Sequence, residues 1–155
     1  MSAFHGPGPF DGDAVYNYLD QAALPPLAFR EAVANAFSEV IEGGAARHMP
    51  TEFLALLGLD GPATYVDVDE ATWAWACAEL VVLANGHQPE TSIPEIFAQA
   101  AQTLPDPVGL VPSALKALQI VMDPTRSELA GLLKDADAQS SFQRIDRLRL
   151  LLQGA

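Results

Sequence analysis

Apolar side chains recur every three or four positions through most of this chain, and strict alternation of apolar and polar residues is almost absent. Asp13–Leu24 sets Val15, Tyr18 and Leu19 at helical spacing, and Pro25-Pro26 both stops that helix and seeds the next. Leu27–Glu42 follows, with Phe29, Val33, Phe37, Val40 and Ile41 on one stripe and Gly43-Gly44 as its stop. Residues 49–58 repeat the formula on a smaller scale, with Pro50 early and Gly58 late. Thr64–Val68 reads as a brief extended piece. Beyond it, Asp67 and Glu70 have the spacing of a capping box, and Asp69 competes as the cap. These residues open a helix over Glu70–Asn85 that ends at Asn85-Gly86. Ile93–Thr103, Pro112–Met122, Thr125–Ala138 and Ser140–Leu152 complete the set. In the last of these, Phe142, Ile145, Leu148, Leu151 and Leu152 share a stripe that leaves Arg144, Arg147 and Arg149 outside. The pattern predicts an all-α, compact single-domain bundle of seven or eight short helices over residues 1–155, joined by Pro/Gly-rich connections. Residues 1–12 would form a glycine- and proline-rich loop packed on the body.

At 155 residues the chain can bury roughly two-thirds of its surface. Charge sharpens the picture. Residues 1–115 hold fifteen acids and two bases, Arg30 and Arg47, whereas 116–155 hold five acids and six bases. A net charge of −12 repels nucleic-acid backbones and anionic membranes and favours a basic protein partner or a cationic ligand. The plainer reading of the same charge is solubility. The first residues carry no basic stretch followed by an apolar one, and no apolar run spans a bilayer, so a cytoplasmic protein is expected. Cys77 is the one cysteine, which excludes an intrachain disulfide or a cysteine zinc site, and its alanine neighbours suggest a buried small residue.

Candidate chemistry concentrates in two places. The first is the loop around Phe10, Asp11, Gly12 and Asp13. Read as a calcium loop from Asp11, its fifth position is Val15 and its twelfth is Ala22, so the ligand pattern fails. A phosphate loop would need Lys-Ser/Thr after the glycines and no carboxylates. Capping accounts for the residues better: Asp11 or Asp13 caps the first helix, and Phe10 serves as a hydrophobic staple. The second is Glu79, alone among apolar residues in its helix. It is either a general base teamed with Asp11 or Asp13, or a carboxylate accepting backbone N–H groups from a neighbouring loop. The latter is favoured, because no histidine, lysine or metal-ligand motif stands nearby in sequence. His5, His48 and His87 lack ligand spacing, so no metal or other cofactor is expected. Trp73 and Trp75 point to different faces of one helix; one belongs to the core, and Trp75 is a candidate interface anchor.

The stretch Phe4-His5-Gly6-Pro7-Gly8-Pro9-Phe10-Asp11-Gly12-Asp13 resembles the opening Trp-Gly-x-Gly-x-Phe-x-Asn-Asp motif of the bacterial domain-of-unknown-function family 4259. Gly6, Gly8, Phe10, Asp11 and Asp13 fall on the pattern, with Phe4 for the usual Trp and Gly12 for the usual Asn. Residues 76–86 are similar to that family's alanine-rich helix with a single Glu, here Glu79. The ending from Ser127 is similar to its closing helix pair, with Leu133 where a Trp is common. The resemblance implies a small α-helical fold and no transferable activity. It also suggests that Glu79 receives hydrogen bonds from the Gly6–Asp13 segment. Three functions follow as expectations: a non-catalytic protein-binding domain, such as an immunity- or antitoxin-like inhibitor of a basic partner; a metal-dependent or carboxylate-based hydrolase using Asp11, Asp13, Glu79 and His5; and a structural homo-oligomer.

Overall fold

The computed structural model describes residues 9–10, 25–42, 66–88, 93–123, 126–135 and 139–154. Among them are six α-helices: α1 (Pro26–Ile41), α2 (Val68–Ala84), α3 (Glu95–Gln102), α4 (Val111–Val121), α5 (Glu128–Asp135) and α6 (Gln139–Gln153). A 3₁₀ turn, Pro107–Leu110, leads into α4. No strand occurs among the described residues, so the all-α expectation holds there. The helices expected over Asp13–Leu24 and residues 49–58 lie outside the described residues.

The second helix is the axis of the fold. It buries twelve of its seventeen residues, on every side, as a helix that is apolar all round must. Helices α1, α3, α4, α5 and α6 all pack against it. Fully buried alanines on both α2 (Ala71, Ala74, Ala78) and α4 (Ala114, Ala117) keep both helices slender where they enter the core. Phe29, Val33, Phe37 and Val40 of α1, and Ile145, Leu148 and Leu152 of α6, close the core from their expected stripes.

Local chemistry sets both ends of α2. Asp67 is its N-cap: the Glu70 amide donates to Asp67 Oδ1 at 2.8 Å, and the Asp67 amide donates to Glu70 Oε1 at 3.2 Å. At the other end the His87 amide donates to the Val82 carbonyl and the Gly86 amide to that of Leu83, the paired bonds of a Schellman motif. Gly86 occupies the left-handed position that this motif needs, with φ of 86°.

Two boundaries differ from the sequence reading. The extended piece before α2 is a single parallel pairing of Val66 with Ser127. The Val66 amide donates to the Arg126 carbonyl at 2.8 Å, and the Glu128 amide to the Val66 carbonyl at 2.9 Å. With residue 66 held extended, Asp67 rather than Asp69 becomes the cap, and α2 starts at Val68 instead of Glu70. The same pairing delays α5 to Glu128, three residues after the expected Thr125, with Ser127 Oγ accepting from the Ala130 amide.

Candidate functional site

The residues singled out in sequence fall into three groups in space. Asp11, Asp13 and His5 lie outside the described residues. Phe10 does not: it is 7% exposed, belongs to the main hydrophobic cluster, and stacks on Phe97 of α3 with ring centroids 5.6 Å apart. It therefore works as an apolar anchor, set in a turn at residues 9–10. Glu79 and Trp75 sit in the middle of α2 with no exposed surface. Glu79 is not without a partner, as a carboxylate enclosed by apolar side chains requires. Trp75 is enclosed too, so the surface anchor expected there is a core residue; α2 is covered on all sides and leaves that indole no outward face. Trp73 is the more exposed of the two, partly buried against the same cluster. Cys77 is fully buried, and burial pushes its thiol above the usual range, which makes it a poor nucleophile.

Polar groups converge where the chain pairs Val66 with Ser127. Asp67, Asp69, Glu70 and Glu128 gather at the start of α2. Glu128 Oε1 accepts from the Val68 amide at 2.8 Å, so two of the first orphan amides of α2 are met by carboxylates. Burial, followed by the charges of Asp67 and Glu128, raises the Asp69 carboxyl above the ordinary aspartate range. Desolvation and like charge thus outweigh the helix N-terminus, which by itself would favour the anion. This junction is a structural joint between α2 and α5. Among the described residues, no group of three or more histidine, cysteine or carboxylate side chains is arranged to hold a metal ion.

The remaining constellation was not anticipated from sequence. Arg30 of α1 reaches across 75 positions to donate from Nε to the Pro105 carbonyl at 2.8 Å. Its Nη2 lies 3.4 Å from the Asp106 carbonyl and 3.7 Å from Asp106 Oδ2. Asp106 takes a left-handed backbone, φ 45°, between two prolines, and its carboxylate accepts from the Gly109 amide at 3.3 Å. A Cβ at Gly109 would collide with that carboxylate and crowd Arg30, so a side chain there would make the exposed Asp106 side chain shift. Asn85, just past α2, adds a longer contact from Nδ2 to the Pro107 carbonyl at 3.4 Å. The segment from Pro105 to Leu110 is thereby clamped to α1 on one side and to the end of α2 on the other. Leu27 and Val108, 74% and 61% exposed, are the two most exposed large apolar residues described, and they sit one on each clamped element. A sequence cue existed in the Pro-Asp-Pro turn followed by Gly109, but its partner on α1 could not be read from spacing.

No described helix is long and apolar enough to cross a membrane. No family model matches the chain, and no curated protein or solved structure is significantly similar to it.

Proposed function

We propose that this chain is a non-catalytic protein-binding domain with a basic partner, of the immunity- or antitoxin-like inhibitor kind. One observation carries the reading: Arg30, one of only two bases among residues 1–115, is turned inward onto the Pro105 and Asp106 carbonyls. Its charge is spent within the protein, on the turn that carries Asp106, while Glu31, Glu42, Asp67 and Glu95 remain exposed. Such a field steers a cationic protein and fixes its orientation more than it adds affinity. In this reading the Gly6–Asp13 segment is a structural clasp that caps the helix expected over Asp13–Leu24 and docks on Glu79. The burial of Phe10 against Phe97 supports the packing of this segment on the body. The likeness to family 4259, resting on the same N-terminal residues, is proposed with it.

The test is crosslinking in the native cell, followed by titration calorimetry of each recombinant candidate at low and high salt. The reading expects a basic protein whose affinity falls as salt rises. A neutral or acidic partner, or binding indifferent to salt, overturns it.

A further inference from the structure

The chain holds three asparagines, Asn17, Asn35 and Asn85, and Asn85 is the one followed by glycine. That pair is the reactive arrangement for loss of the side-chain amide, because a glycine successor lets its backbone nitrogen approach the asparagine Cγ closely. In the step, the Gly86 nitrogen gives up its proton and bonds to Asn85 Cγ, the Cγ–Nδ2 bond breaks, and ammonia leaves. Water then opens the cyclic imide at either carbonyl, giving aspartate or isoaspartate. The folded chain blocks this attack at both reacting groups. The Gly86 amide donates to the Leu83 carbonyl at 3.0 Å. Gly86, with φ of 86°, and Asn85, with φ of −88° and ψ of 8°, are fixed in the closing turn of α2. Asn85 Nδ2, the leaving group, donates to the Val81 carbonyl at 2.8 Å and contacts the Pro107 carbonyl at 3.4 Å. The enclosure is local: Gly86 is exposed and Asn85 is only half-buried. Fraying of the last turn, without unfolding of the core, frees both groups.

We propose that Asn85-Gly86 is a deamidation site that the end of α2 keeps shut, and whose reaction releases the Pro105–Leu110 turn from α2. The release follows from the products. An aspartate at this position has no donor, so its oxygens would face the Val81 and Pro107 carbonyls at the negative end of the helix. Isoaspartate puts an extra methylene into the backbone, which displaces the Gly86 and His87 amides from the Leu83 and Val82 carbonyls. Arg30 then holds the turn from α1 alone. The change runs one way, since ammonia is lost, and it stands apart from the protein-binding reading above.

Peptide mass spectrometry that separates asparagine, aspartate and isoaspartate follows Asn85 in the full chain at mildly alkaline pH, both folded and in urea. In urea, conversion is expected at Asn85 well before Asn35, which alanine follows. In the folded chain it is slower by about tenfold or more, because only the opened turn reacts. His87→Pro removes the amide that the Val82 carbonyl accepts, so in a chain that circular dichroism shows to be folded it narrows that difference. The product made directly, Asn85→Asp, lowers Tm by about 2–8 °C and speeds hydrogen exchange across the Pro105–Leu110 turn. Equal rates in the folded and unfolded wild-type chain overturn the guarding by α2, and no conversion in urea overturns the site itself. An Asn85→Asp chain with unchanged Tm and unchanged exchange overturns the release.

Discussion

Replacing Phe10 with alanine tests whether the N-terminal segment belongs to the cooperative core. The ring is 93% withdrawn from solvent and stacked on Phe97, itself 2% exposed, with 29° between the ring planes. Removing a buried phenylalanine in this way costs about 3–5 kcal/mol, as lost transfer free energy plus a cavity. The stacked pair contributes roughly 0.5–1.5 kcal/mol of that. Because Phe10 keeps 7% of its surface exposed, the lower figure of about 3 kcal/mol is expected. For a chain of this size that lowers Tm by about 6–12 °C. It is a large fraction of a total stability of about 5–15 kcal/mol. Urea unfolding, followed by far-ultraviolet circular dichroism and by the fluorescence of Trp73 and Trp75, gives the loss directly, with an unchanged m value as the two-state control. A double-mutant cycle of Phe10→Leu with Phe97→Leu isolates the ring pair, with a coupling of about 0.5–1.5 kcal/mol. A loss below about 0.5 kcal/mol for Phe10→Ala, the size of an ordinary surface change, would refute the claim that Phe10 anchors the segment.

Two further outcomes follow from the ends of α2. Gly86→Ala costs about 1–2 kcal/mol, all of it backbone strain, because nothing lies within 4 Å of the added Cβ; thermal unfolding measures it, and Gly86→Asn recovers part of the loss. Asp69→Asn stabilises the protein at neutral pH. The folded-state carboxyl is raised by burial and by Asp67 and Glu128, so the native state binds more protons than the unfolded chain in the window between the ordinary and the raised value. The penalty is absent below the ordinary aspartate range and grows as pH rises through the raised one. The gain from Asp69→Asn therefore appears on the alkaline side and fades in acid, and paired urea titrations across that range would show the opposite trend if the sign were wrong.

How much of this was legible in the sequence depends on how far apart the deciding atoms lie along the chain. The Asp67–Glu70 capping box and the Gly86 stop are local devices, complete within a turn, and they stand where their residue types put them. The apolar stripes of α1 and α6 were equally legible, because each has one wet face and one dry one. For α2 the stripe argument fails. A helix apolar on every side does not say which indole turns inward, so Trp75 was open to a surface role until its neighbours enclosed it. The same enclosure sets Glu79 fully within the core rather than at its edge.

What tertiary structure alone decided are the contacts between distant residues. Val66 pairs with Ser127, and that pairing chooses Asp67 over Asp69 as the cap and shortens α5 at its start. Glu128 caps Val68 from 60 positions away, and Arg30 pins the Pro-Asp-Pro turn from 75. Periodicity, proline and glycine determined where most helices run, since helix formation is settled by bonds three and four residues apart. Where the helices begin to the residue, and which side chains end up covered, depended on backbone groups satisfied by partners that only the folded chain brings near.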